Sequence, residues 1–258
     1  MSLQEWSPVR FYGTNGTAPI VLICEHASFD FPADVGTLGI SPATRTSHAA
    51  GDIGALVMAK ALSRRLSAPL VFGGVSRLIY DCNRPLAAND AIPCRSEIHD
   101  IPGNQTLSDS EKRARHGLIH DPFHTAVDRL VQAQSDRTAL PVTVITLHSF
   151  TPVYHGKRRE LDIGFLFDKF PLFSELAVAV EQARGTYRAD LNKPYDSMDG
   201  VTYSLAKHAD ARGLQSTMIE VRNDLIDTSP TAEAMAAHLE TTLRVALEQL
   251  HARNEVAQ

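Results

Sequence analysis

Hydrophobic and polar positions alternate along this chain in two registers. Three compact apolar, β-branched runs stand out first: Pro19–Cys24, Val142–Leu147 and Thr217–Ile219. Continuous apolar runs of this kind predict strands buried on both faces of a largely parallel sheet. Shorter extended stretches are predicted at Pro69–Phe72 and Leu161–Phe167. Helical spacing of apolar residues intervenes. It begins at Asp52 and runs to Leu62, with the acidic residue at the positive end of the helix dipole. Ser108-Asp109-Ser110-Glu111 has capping-box form and opens a helix toward Ala133 that Pro122 interrupts. Further helices are predicted from Leu172 to Ala183, from Tyr203 to Arg212 with Gly213 as its C-cap, and from Ser229-Pro230 onward, the proline taking the first helical position. This alternation predicts an α/β fold: a three-layer α/β/α sandwich around a mixed central sheet, built as one domain over residues 1–258.

Each of the three main runs ends on a residue suited to metal binding or proton transfer. The first leads into Glu25-His26, the second into His148 and the third into Glu220. Open α/β sheets bind ligands outside the carboxyl ends of their strands. Two imidazoles and a carboxylate are therefore expected to converge on one sheet edge. The segment between Arg77 and Asn104 is polar, broken by Pro85, Pro93 and Pro102, and too long for an ordinary connection, so it is expected to form a wall of the pocket.

Composition narrows the function classes. The chain is 43% hydrophobic and 21% charged over 258 residues, enough for a large core. A formal net charge of -5 supplies no basic footprint for nucleic acid, which points to a small-molecule partner. No apolar stretch has the length of a membrane span and the amino terminus lacks a signal-peptide pattern, so a cytoplasmic protein is expected. The three cysteines, Cys24, Cys82 and Cys94, form no CxxC pair and argue against a disulfide framework or thiolate zinc site.

Hydrolytic zinc sites use three protein ligands and keep one position open, and two histidines plus a carboxylate is a common set. His26 and His148 need a third partner from Glu25, Asp30 or Asp52. Glu25 adjoins His26 and would point to the opposite strand face, whereas Asp52, at a helix start after the first strand, belongs at the same edge and is preferred. Glu220 is better placed as general base, accepting the proton of an attacking water and returning it to a leaving nitrogen. Arg222, two residues on, shares its face and would pair with a carboxylate or bind an anionic substrate. Arg84 with Asn83, and then Arg77, are the expected anchors for a substrate carboxylate, because a guanidinium grips one with two parallel hydrogen bonds. His116, His120 and His124 recur at helical spacing without the glutamate of an HExxH motif. His120 and His124 are read as lining the pocket or capping a helix, with His124 taken as a substrate contact.

In order along the chain, Glu25-His26-Ala27-Ser28, Asp52-Ile53-Gly54-Ala55, Ser76-Arg77 with Asp81-Cys82-Asn83-Arg84-Pro85, His120-Asp121-Pro122-Phe123-His124, Leu147-His148-Ser149-Phe150 and Ile219-Glu220-Val221-Arg222-Asn223-Asp224 resemble the N-formylglutamate amidohydrolase family. The resemblance spans roughly residues 19 to 250. It implies a phosphorylase/hydrolase-like fold related to zinc carboxypeptidases and amidases. It also implies hydrolysis of a small anionic acylated amino acid, N-formyl-L-glutamate, to formate and glutamate in histidine breakdown, with zinc as the metal. The related zinc families often carry a ligand pair three residues apart after the first strand, which here would require Phe29, so the resemblance too favours Asp52. Two segments depart from the family pattern and bear on specificity: Glu25–Ser28 stands in place of Pro-His-Ser-Gly, and Asn192–Gly200 in place of a Gly-Gly-containing segment.

Overall fold

The computed structural model describes residues 6–195 and 199–256, the side chains of the last helix only to Arg253. The apolar runs become the middle of a seven-stranded sheet. Its strands are β1 (Val9–Tyr12), β2 (Ile20–Cys24), β3 (Leu70–Gly73), β4 (Thr143–Phe150), β5 (Ile163–Leu166), β6 (Ala189–Leu191) and β7 (Ser216–Arg222). They lie in the order β1-β3-β2-β4-β7-β5-β6. Strands β3, β2, β4 and β7 are mutually parallel, while β1 runs against β3 and β5 against β7, with β6 parallel to β5. The sheet is therefore mixed, with a parallel centre.

Side chains on successive strand positions point to opposite faces. Ile20, Leu22 and Cys24 accordingly enter one apolar layer with Leu147 and Ile219, and Val21 and Ile23 enter the other with Val144. Full burial of such a side chain contributes about 1.5–3 kcal/mol. The first layer is completed by helices α1 (Ala55–Leu66), α3 (Leu172–Arg184) and α5 (Ser229–Val256). The second is closed by α2 (Asp121–Arg137) and by residues of the long insert, among them Ile79, Tyr80, Ile92 and Ile101. A short helix, α4 (Tyr203–His208), packs beside α2 and β4.

Several element boundaries differ from those the sequence predicts; the helix from Tyr203 ends at His208, and a separate 3-10 turn, Asp210–Arg212, leads to Gly213. Helix α1 starts at Ala55, not at Asp52, because Gly54 turns the backbone through the left-handed region at φ 77°. A Cβ there would lie 2.0 Å from the carbonyl oxygen of Ile226, so only glycine fits. Pro122 does not stop its helix. Residues Asp109–Arg115 pass through a π turn, His116–His120, directly into α2. The Asp121 N–H reaches back five residues to the His116 carbonyl, and this wider turn accommodates a proline ring that would strain a regular helix. At α5 the N–H of Thr231 donates to Thr228 Oγ1, which makes Thr228 the cap and puts Pro230 one position further in. No described helix is long and apolar enough to cross a membrane.

Register settles what emerges at the carboxyl edge. Ile23 pairs with Thr146, and Glu220 lies directly beside His148. The end of β2, His148 and Glu220 thus open onto the same rim. The insert crosses above it, held by Asn104, whose amide donates to the Leu78 and Pro93 carbonyls at 2.8 Å each.

Candidate active site

The rim carries a buried cluster of three potential ligands. The Nδ1 atoms of His26 and His148 are 3.2 Å apart. Asp52 Oδ2 is 2.9 Å from the His148 Nδ1 and 3.4 Å from that of His26. Asp52 reaches this position because its own N–H donates to the His26 carbonyl and its carbonyl accepts from Ala55, so the turn before α1 folds over the end of β2. Behind each imidazole stands a carboxylate. His26 Nε2 donates to Asp81 Oδ1 at 2.8 Å, and His148 Nε2 faces Glu25 Oε2 at 3.1 Å, off the line of an ideal hydrogen bond. A metal-bound histidine commonly gives its outer nitrogen to such a partner, which fixes the tautomer and aims the other lone pair inward.

The same atoms test whether a divalent cation suits the site. With the outer nitrogen of His26 hydrogen-bonded to Asp81 and that of His148 facing Glu25, two imidazole nitrogens and a carboxylate oxygen face one another, an arrangement that a cation relieves. Asp52, Glu25, Asp81 and Glu220 are all buried, and Arg77 pairs with Asp52. The donor set fits zinc or a similar ion. In the absence of an ion, protons do this work. Burial opposes a charged His148, but Glu25 and Asp52 outweigh it and raise its pKa well above the usual value. Burial likewise opposes ionisation of Asp52, yet the two imidazoles hold it well below the carboxylate range.

Glu220 sits beside the cluster on β7. It is buried, and its Oε2 has no hydrogen-bond partner among the described residues. Burial, reinforced by Asp52 and opposed by His148, His26 and Arg77, pushes its pKa up to about 7. A group poised there can accept or release a proton near neutrality. Arg77 Nη1 donates to Asp52 Oδ1 and contacts His26 Nδ1, both at 3.1 Å, which puts it within the cluster and not at a distant anchor point. His48 also reaches Asp52, at 3.6 Å, and burial drives its pKa down to about 4.

These groups line a cavity of about 650 Å³. Its outer wall includes Arg84, Ser96 and Glu97 from the insert, as expected of that segment, and Tyr154, Lys157, Arg159 and Tyr195 opposite. Several expected substrate contacts are already occupied. Asn83 donates its amide to the Val201 carbonyl and accepts from the Ser204 N–H at 3.0 Å, so it staples the wall of the cavity. Arg84 lines the cavity but spends Nε on Asp90 at 2.7 Å and Nη1 on the Asn83 and Gly200 carbonyls.

Two expected contacts lie elsewhere. Arg222 shares a strand face with Glu220, yet it pairs with Asp162 and Asp224 at 2.7 Å each and supports the end of the sheet. His124 is buried under the insert, with Nε2 on the Cys82 carbonyl at 2.8 Å and Nδ1 on His208 at 2.6 Å. It faces away from the cavity because it lies on the side of α2 that packs into the protein. Cys82 is buried and its thiol pKa is raised well above the ordinary value, chiefly by burial, which disfavours the thiolate. Part of the divergent segment 192–200, at 196–198, lies outside the described residues.

Arg159 was not singled out by any sequence pattern, since it stands in a polar run, Lys157-Arg158-Arg159-Glu160. In the fold its guanidinium lies over Tyr154, Tyr195 and Phe150, at 4.5, 5.1 and 5.4 Å from the ring centres. It meets the Thr151 carbonyl and Tyr195 hydroxyl but no carboxylate among the described residues. Glu25 and Asp81 were visible in the motifs, but which imidazole each would meet depended on strands far apart in sequence.

A family model described as N-formylglutamate amidohydrolase matches residues 18–227. Among solved structures, a gene product from Agrobacterium tumefaciens is 40% identical in sequence and superposes with a TM-score of 0.92, covering 95% of this chain and 96% of its own. The N-formylglutamate amidohydrolase from Ralstonia eutropha superposes with a TM-score of 0.66 at 19% identity, covering 94% of this chain and 98% of its own, a likeness of fold. No curated protein matches this chain.

Proposed function

This chain belongs to the N-formylglutamate amidohydrolase family, and from that premise we propose that it hydrolyses the amide bond of an N-formyl amino acid, N-formyl-L-glutamate foremost, with a divalent metal held by His26, Asp52 and His148. One observation carries the reading. Two imidazole nitrogens and a carboxylate oxygen converge within 3.4 Å, each imidazole is backed by a buried carboxylate, and a carboxyl group with one oxygen unpartnered among the described residues stands beside them.

When bound, zinc or a similar ion supplies Lewis acidity, which polarises an amide carbonyl and acidifies water. The chain's own residues do the rest. Glu220 accepts a proton from the water that attacks the formyl carbon, then passes it to the departing nitrogen as the C–N bond breaks, which yields formate and the free amine. Asp81 and Glu25 keep His26 and His148 in the tautomer and orientation that present Nδ1. Arg159 grips a substrate carboxylate, its charge set against aromatic faces and paired with no carboxylate among the described residues. Lys157 on the same wall offers a second cation for an acidic side chain. Glutamate as product would make this a step of histidine breakdown.

Formate release across a panel of N-formyl and N-acetyl amino acids, measured with metal-stripped and zinc-loaded protein, tests the proposal. Zinc-dependent turnover with N-formyl-L-glutamate preferred is expected. Preference for another acyl group or amine would reassign the substrate. Absence of zinc-dependent turnover on all of them would remove the hydrolytic reading.

A further inference from the structure

A second group of ligand-type side chains lies outside the cavity, on the π turn. The rings of His116 and His120 stack with centroids 4.1 Å apart and planes at 22°. Their Nδ1 atoms both approach Oδ1 of Asp121, at 3.2 and 3.1 Å. The π turn is the cause. In a regular α-helix residue i+5 lies about 140° around the axis from residue i. Here the Asp121 N–H bonds directly to the His116 carbonyl, so residues i, i+4 and i+5 share one patch.

The spacing and second partners suit a metal. Nitrogen and oxygen ligands at the usual bond lengths around a tetrahedral zinc lie about 3.3 Å from each other. His120 Nε2 is 3.1 Å from the Tyr203 hydroxyl. With its N–H given to that oxygen, the His120 Nδ1 lone pair faces the Asp121 carboxylate, a contact that a cation makes attractive. His120 is buried, whereas the side chains of His116 and Asp121 are 22% and 56% exposed, so an ion can enter and water can complete its shell.

We propose that His116, His120 and Asp121 form a second, solvent-accessible site for a borderline transition-metal ion such as zinc. None of the three lines the active-site cavity. The site is nevertheless tied to its wall: Tyr203 starts α4, and Asn83 clamps Val201 and Ser204 on either side of it. An ion on the π turn therefore braces the segment that encloses the cavity.

Equilibrium dialysis of the metal-stripped full chain against Zn²⁺, followed by metal analysis, distinguishes the two sites. The parent should bind two equivalents, while His116→Ala and Asp121→Asn should each bind one and keep formate-release activity at saturating zinc. His148→Ala should retain one equivalent, lost again in the His116→Ala double variant. If His148→Ala does not fold, the parent against His116→Ala still decides, since His116 is partly exposed and its truncation spares the core. A parent equivalent lost in His116→Ala would support this site even if the cavity bound nothing. Zinc stoichiometry unchanged by His116→Ala and Asp121→Asn, or binding that needs about millimolar zinc, would overturn it.

Discussion

Glu220 and Arg159 differ in how far their neighbours have already spent them. Glu220 is buried with one carboxylate oxygen unmatched among the described residues, and burial raises its pKa to about 7. Glu220→Gln keeps the shape and removes only proton acceptance, so kcat for formate release should fall about 10²- to 10⁴-fold while zinc content and thermal midpoint hold. A kcat near the parent's would take the base role away from Glu220. Arg159 keeps a guanidinium that no described carboxylate claims. Arg159→Lys retains charge but loses the planar fork, so KM should rise for substrates with a free carboxylate and change less for amide-capped ones. Equal losses on both would make Arg159 a scaffold for Tyr154 and Tyr195. Sequence reasoning put this role on Arg84 and Asn83, because grouping in one loop was the available signal. Only their hydrogen bonds to Asp90, Val201 and Ser204 show that those groups are committed.

At the level of elements, strand identities were legible and helix ends less so. The run Ile20–Cys24 has no polar interruption, and a strand buried on both faces leaves little alternative. Helix ends answer to particular contacts: Gly54 must turn where the carbonyl of Ile226, remote in sequence, approaches, and Pro122 is absorbed by a π turn. The turn after α4 carries a testable pH dependence. Asp210 lies beside Asp168, and burial together with that neighbour raises its pKa to about 6. A carboxyl with a raised folded pKa binds its proton more tightly when folded. Its contribution to stability is therefore present below the unfolded value near 4 and is lost as pH rises through 6. Asp210→Asn should consequently stabilise the protein, relative to the parent, more at pH 7.5 than at pH 4 in urea midpoints. The same difference at both pH values would mean that the Asp168–Asp210 repulsion is relaxed in solution.

The whole molecule concentrates buried negative charge at one sheet edge. Asp52, Glu25, Asp81 and Glu220 meet there, and an ion that binds the folded but not the unfolded chain stabilises it by about 2.7 kcal/mol at a hundred times its Kd. Stripping metal should lower the thermal midpoint and zinc should restore it; His26→Ala should remove most of that recovery, leaving the part that depends on His116. Recovery undiminished in His26→Ala would move the main site away from the cavity. The fold class and the central strands were determined by the sequence itself, because hydrophobic period is a local property that no distant contact needs to supply, although two of those strands run on past His148 and Glu220 to Phe150 and Arg222. The pairing of His148 with Glu25 and of His26 with Asp81, the spent state of Asn83, the inward turn of His124 and the aromatic seat of Arg159 were decided by tertiary structure alone. Each depends on which side chains from remote segments arrive first at a shared hydrogen bond or charge, and local sequence carries no record of that competition.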